Sequence, residues 1–238
     1  MEQEKSQQGD SMSTTTKTTL NPYKDIAVFR DGMFRFNFSD CRDWMEDQGK
    51  KIFGTRFFID PNDHPLIHDL LIYAIGDKDT AQKMKIDLNK GILLAGPVGC
   101  GKTSIMMLIR YFFPAGKKYR IRSTRKISFE FESEGFKVIT RYASDSEVKQ
   151  RRTESSAYCF DDLGIEQPQR YFGKECDVMG EILLSRYDLF VADKIMTHIT
   201  TNLSASEIEE RYGNRVRSRM RAMFNLFAFK KTSIDKRM

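Results

Sequence analysis

The stretch Gly91-Ile92-Leu93-Leu94-Ala95-Gly96-Pro97-Val98-Gly99-Cys100-Gly101-Lys102-Thr103-Ser104 decides the fold of this 238-residue chain. Its first five residues form an apolar run of strand character, and Ser104 to Phe113 continues with apolar residues at helical spacing. Between them, Gly96 to Thr103 fits the spacing G-x-x-x-x-G-K-[ST]. In that pattern the glycines let backbone N–H groups close on phosphates at the positive end of a helix dipole. The reading assigns a nucleoside triphosphate to Gly96, Pro97, Val98, Gly99, Cys100, Gly101, Lys102, Thr103 and Ser104. Lys102 is expected to meet the terminal phosphates and to stand exposed in the empty loop, while Thr103 offers its hydroxyl to Mg²⁺. Cys100 occupies a position of the pattern that tolerates many side chains.

Working outward, Pro114-Ala115-Gly116 breaks the chain, and Tyr119 to Thr124 reads as a second strand. Ala157-Tyr158-Cys159-Phe160 is a third apolar run that ends in Asp161-Asp162, and Ile195 to Thr201 is a β-branched fourth that ends at Asn202. Helical spacing over Asp177 to Tyr187 separates these two, and Leu226 to Phe229 reads as a last strand. Strands alternating with helices predict an α/β fold of the P-loop NTPase kind, a parallel sheet flanked by helices with its ligand crevice at the carboxyl ends of the strands. Asp161 and Asp162 fall at such an end, about 60 residues beyond Lys102. We assign Asp161 to the metal and Asp162 to orienting an attacking water. Asn202 reads equally well as an amide reaching the reacting phosphate and as a turn residue before the capping box Ser204-x-x-Glu207.

The segment Arg211-Tyr212-Gly213-Asn214-Arg215-Val216-Arg217-Ser218-Arg219-Met220-Arg221 carries five arginines after a helix that Gly213 is expected to end. It reads as a solvated basic face, as the source of an arginine supplied in trans to a neighbour's phosphate, or as a DNA phosphate contact. The net charge of +6 favours a polyanionic partner. Met1 to residue 22 is polar and Ser/Thr/Gln-rich and reads as a disordered tail, and residues 23–90 read as a short helical module. The cysteines Cys41, Cys100, Cys159 and Cys176 are far apart, and no apolar stretch is long enough to span a bilayer, which leads us to expect a cytoplasmic, reduced protein without a membrane partner. His198 reads as a core histidine; Phe129, Phe131 and Phe136 read as core before they read as a base-stacking surface.

Four ordered motifs make a resemblance specific: GPVGCGKT at 96–103, CFDDLG at 159–164, ITTN at 199–202 and YGNRVRSRM at 212–220. Over roughly Lys90 to Phe229 the chain resembles the AAA+ ATPases of the DnaC-type helicase loaders and the IstB-type transposition ATPases. The resemblance implies ATP as the nucleotide, Mg²⁺-dependent hydrolysis, and a switch that forms homo-oligomers. It also implies non-specific binding to single-stranded DNA and a replicative helicase or a transposase as partner. It makes Asn202 the polar sensor residue and Arg219 the arginine finger, with Arg215 and Arg217 as alternatives, and it places partner binding in residues 23–90. Only about 19 residues follow Arg219, so no helical lid is expected after the ATPase domain, residues 91–238. A monomeric P-loop kinase is the alternative from a different class.

Overall fold

The structure, a computed structural model, describes residues 20–143 and 157–237; the polar tail expected over 1–22 lies outside the described residues as far as residue 19. The core element is a five-stranded parallel sheet of order β4-β5-β8-β3-β9. Its members are β3 (Gly91–Ala95), β4 (Arg120–Ser123), β5 (Tyr158–Leu163), β8 (Thr197–Thr201) and β9 (Phe224–Ala228). Side chains of a strand alternate between its faces, and the burial follows that rule. On β5, Cys159 points into one core while Tyr158 and Phe160 point into the other; on β3, Ile92 and Leu94 join the first and Leu93 packs against the second. A parallel sheet covered on both faces explains why these strands read as unbroken apolar runs.

The first core is filled by α2 (Phe38–Phe53), α3 (His64–Ile75) and α5 (Lys102–Ile109). Cys41, Trp44 and Met45 of α2 and Ile67, Leu70, Leu71 and Ala74 of α3 are buried in one cluster with Leu94 and Met106. Most of residues 23–90 therefore shares the hydrophobic core of the P-loop strand and helix. The helix α3 stops where Gly76 takes the left-handed conformation at φ 79°, and its N–H caps the carbonyl of Ile72. Ahead of α2 stand α1 (Pro22–Asp25) and a hairpin of β1 (Val28–Arg30) and β2 (Met33–Arg35), on which Val28, Phe29, Met33 and Phe34 are exposed. A short α4 (Lys78–Lys83) leads toward β3.

The second core lies under α6 (Thr124–Glu134), α7 (Phe136–Ala143), α8 (Val178–Asp193) and α9 (Ala205–Met223). A second hairpin, β6 (Gln169–Tyr171) with β7 (Lys174–Cys176), follows the aspartates and has no clear signal in the sequence. The capping box is formed: Ser204 accepts from the Glu207 N–H, and the Glu207 carboxylate accepts from the Ser204 N–H. Gly213 interrupts the helix as expected, but a second stretch of helix follows it. It leaves the helical region at φ 81°, ψ 163°, but the helix resumes and runs to Met223, because Val216, Met220 and Met223 present a buried apolar face. Phe131 is buried as expected, whereas Phe129 and Phe136 are exposed. Among the described residues no helix follows β9, and no helix is long and apolar enough to cross a membrane.

His198 explains how β8 is locked beside β3. Its Nδ1 accepts the Ile92 N–H at 3.1 Å, and its ring is surrounded by Tyr73, Phe113 and Tyr119. Burial, with the Arg186 cation nearby, lowers its pKa to about 3. The unfolded chain thus binds a proton near pH 6.5 that the fold refuses, so His198 makes stability fall as pH drops from about 6.5 toward 3. The expected slope from this group alone is about 1 kcal/mol per pH unit between pH 6 and 5. Chemical denaturation across that range should show it, and His198→Gln should flatten the profile; an unchanged profile would assign the acid sensitivity to other groups.

Candidate nucleotide-binding site

The phosphate loop runs from the end of β3 into the first turn of α5. Gly99 and Gly101 adopt φ 80° and 102°, where a β-carbon is strained, and Gly101 sits at the N-cap of α5. The loop is fastened to the sheet by the Gly96 N–H, which donates to the carbonyl of Thr201 at 3.2 Å. Cys100 is fully buried, and burial pushes its thiol up, so it fills space without reactivity. Lys102 corrects an expectation: it is not exposed. Its ammonium is folded inward, donating to the carbonyls of Gly96 and Pro97 at 2.9 Å each, which satisfies the charge within the loop itself.

Asp161, on β5, is where strand β8 and the first turn of α5 meet. Its carboxylate accepts from the Thr103 hydroxyl with both oxygens at 3.0 Å, and from the Thr200 hydroxyl of β8 at 2.7 Å. Thr200 in turn accepts the Asp162 N–H at 2.8 Å, so one side chain fixes both aspartates. Burial, aided by the neighbouring Asp162 charge, raises the Asp161 pKa. A carboxyl raised in the fold takes up its proton there before it would in the unfolded chain. Ionised Asp161 therefore weakens the fold as pH rises above the ordinary carboxylate range, and a cation beside it would relieve that cost.

The sequence places the two aspartates at a strand end; the structure keeps them inside β5, at an irregularity. The register of β5 against β8 shifts between Phe160 and Leu163, and Asp162 takes φ 58°, rare for a residue with a side chain. Its carbonyl accepts from the Thr124 hydroxyl at 2.8 Å, which secures the strained unit from the α6 side. The bulge brings Asp162 onto the wall of a cleft of about 350 Å³ that also holds Gly99, Gly101, Lys102, Thr103 and Ser104. Strain of about 1–3 kcal/mol held at such a residue is typical of functional positions.

The other walls escaped the sequence reading. Phe53, Arg56, Phe57 and Phe58 line the cleft from the end of α2 and the loop beyond it, and Lys236 and Arg237 line it from the segment after β9. Their distance along the chain from the glycine loop hides them. Asn202 follows β8 directly and is exposed, and it is not among the residues lining the cleft. Arg219 is likewise absent from its own cleft wall; its guanidinium lies over the Tyr187 ring, 5.1 Å from the centroid. The turn after the aspartates is joined to the arginine segment by buried Glu166. Its carboxylate accepts from the Gly164 N–H at 3.0 Å and from the Tyr212 hydroxyl, and its backbone carbonyl accepts from Arg211.

The residues fit a Mg²⁺ nucleotide. A hydroxyl and a carboxylate already in contact are the hard oxygen donors that Mg²⁺ takes, and Asp161 carries an excess of buried negative charge that a cation would balance. Thr103 and Asp161 would hold the ion, and Lys102 has only to swing from two carbonyls to meet a phosphate. When bound, Mg²⁺ supplies charge neutralisation to the terminal phosphates.

No protein-family profile matches the chain, and no curated protein matches it. Among solved structures the chain is similar to the DnaC helicase loader, at 23% identity over 60% of this chain and 79% of that chain, with a TM-score of 0.41. It is similar to DnaI at 19% identity over 73% of this chain and 88% of that one, with a TM-score of 0.47. It is also similar to AMPPCP-bound DnaA from Aquifex aeolicus at 15% identity, covering 72% of this chain and 48% of that chain, with a TM-score of 0.43.

Two substitutions separate binding from chemistry. Lys102→Ala should weaken ATP binding by about 100-fold, the scale of a lost charged contact to phosphate; equilibrium titration with a fluorescent ATP analogue reads this, and affinity within twofold of wild type contradicts the site. Asp162→Asn should keep that affinity and lose turnover by at least about 100-fold, because the amide fills the space without accepting a proton from water.

Proposed function

We propose that this chain is a Mg²⁺-dependent AAA+ ATPase that assembles with copies of itself, binds DNA and acts as a loader of a replicative helicase. The observation that carries the ATPase reading is the contact of Thr103, in the first turn of α5, with Asp161 of β5, beside Asp162, which lines the same cleft as Thr103. Asp161, anchored by Thr200, holds the metal side of the site. Asp162, turned into the cleft by its bulge, orients water and accepts its proton. Lys102 binds the phosphates, and backbone N–H groups of the loop share their charge. Hydrolysis is thereby split between a preorganised electrostatic cradle and one general base.

The loader reading rests on the four motifs in their order and on what the arginine segment offers. Arg211 is engaged by Glu166, and Arg217 is paired with Glu209, whereas Arg215 and Arg221 are exposed. Arg219 is half-buried over Tyr187 and does not line its own cleft, so its charge is available to a neighbouring copy. Asn202 at the end of β8 takes the sensor role. Arg215 and Arg221, together with Lys230 and Lys231, supply the cations for non-specific contact with single-stranded DNA. Residues 23–90 receive the helicase, and the exposed apolar hairpin β1–β2 is the surface within them that suits a protein partner.

Arg219→Ala should lower hydrolysis by about 10³-fold or more while leaving ATP binding to the monomer intact. Mixed with Asp162→Asn protein, each being inactive alone, it should partly recover activity, since some interfaces then unite an intact cleft with an intact arginine. Mixtures shown to co-assemble without recovery would return Arg219 to a surface role and remove the shared-site reading. DNA affinity should fall steeply with salt and rise with ATP; salt-independent or undetectable binding at low ionic strength would contradict the DNA role.

A further inference from the structure

The segment after β9 turns back across the phosphate loop and is held there from both sides. The Lys236 N–H donates to the Gly99 carbonyl at 3.0 Å. The Lys236 ammonium reaches Asp63 at 2.5 Å, across 173 residues of sequence, and lies 5.4 Å from the centre of the Phe229 ring. Asp63 is 3% exposed and also accepts from the Ser233 hydroxyl at 3.4 Å. A buried carboxylate whose partners both come from this segment is a clamp, since removing one member of such a pair leaves an uncompensated charge. Between these ties Asp235 packs against Gly99: a β-carbon built there would come within 2.1 Å of its carboxylate. The same carboxylate accepts the Arg237 N–H at 2.9 Å.

This arrangement leaves cations at the cleft without an ion pair among the described residues. Arg56, Lys102, Lys236 and Arg237 line the same cleft, whose lining contains one carboxylate, Asp162. Lys236 is balanced by Asp63 and Lys102 by loop carbonyls, but neither Arg56 nor the Arg237 guanidinium forms an ion pair among the described residues, and of the two it is Arg237 whose backbone is tied down, by Asp235 and the neighbouring Lys236–Gly99 bond. Like charges gathered at one cleft are unfavourable until an anion joins them. A guanidinium on an ordered backbone is suited to hold phosphate oxygens by paired hydrogen bonds.

From this we infer that residues Ser233–Arg237 are a wall of the nucleotide site, in which Arg237 binds the polyphosphate and the Asp63–Lys236 pair positions it. The inference rests on the nucleotide reading given above. It makes a part of the chain outside the glycine loop and both aspartates a determinant of nucleotide affinity, and it explains why the loop is fastened by its Gly99 carbonyl to a segment so far along the chain.

The test is equilibrium binding of a fluorescent ATP analogue to the full chain in Mg²⁺ buffer. Arg237→Gln should weaken binding about tenfold, Arg237→Lys should restore part of that loss, and a chain ended after Thr232 should bind at least as weakly as Arg237→Gln. Asp63→Asn should weaken binding too, and adding it to Arg237→Gln should cost little more, because the clamp acts only through the residue it positions. Arg237 is exposed, so its variants test the inference without unfolding the protein. If Arg237→Gln and the shortened chain bind as wild type or more tightly while Lys102→Ala binds weakly, this inference alone is overturned, and tighter binding would make the segment a plug. If Lys102→Ala also binds as wild type, the nucleotide site itself is overturned.

Discussion

Everything in the site depends on how Asp161 is held. A carboxylate only 8% exposed is costly, and the three hydrogen bonds it accepts from Thr103 and Thr200 are what make it tolerable beside a second aspartate. Those bonds tie the first turn of α5, strand β5 and strand β8 into one unit at the carboxyl edge of the sheet. The position of β8 between β3 and β5 is what allows this, because it puts a threonine hydroxyl within reach of both aspartates. The raised Asp161 pKa marks the same fact in energetic form: burial, aided by the Asp162 charge, disfavours the ionised carboxylate, a cost that a bound cation would relieve.

The unit does not stop at the aspartates. The turn that follows them passes through Gly164 to Glu166, and Glu166 grips Tyr212 and Arg211 one residue ahead of the break at Gly213. The arginines beyond that break therefore follow a helix whose base is bonded to the turn after Asp162. A shift of the bulge at Asp162 would be passed to the arginine segment through one buried glutamate rather than through the loose surface. That is a link between the cleft and the arginine segment, of the discrete hydrogen-bonded kind that coupling requires.

How far the sequence could be read follows from the range of the interactions. The glycine loop, the apolar strands and the capping box at Ser204 were legible because each is a local signal with a mechanism inside a few residues. The order of the sheet's motifs was legible for the same reason. Thr200 was not, since its role exists only once β8 pairs with β5 in the observed register. The bulge that aims Asp162 was hidden as well: nothing in Asp161-Asp162 announces a left-handed residue where a plain strand end was the simpler expectation. Gly213 was read correctly as a helix interrupter, and the resumption came from Val216, Met220 and Met223, whose burial outweighed one broken turn. The walls of the cleft at Phe57 and Arg237 are assembled by tertiary packing, which no spacing rule reports.

The most direct measurement of the central claim is the effect of Mg²⁺ on nucleotide affinity in Thr200→Val, which keeps the side-chain volume while removing the hydroxyl that fixes both aspartates. If the hydroxyl network makes the metal side of the site, the variant should bind the nucleotide in EDTA as wild type does and lose most of the increment that Mg²⁺ adds. An undiminished Mg²⁺ increment, in protein shown by circular dichroism to be folded, would contradict the account.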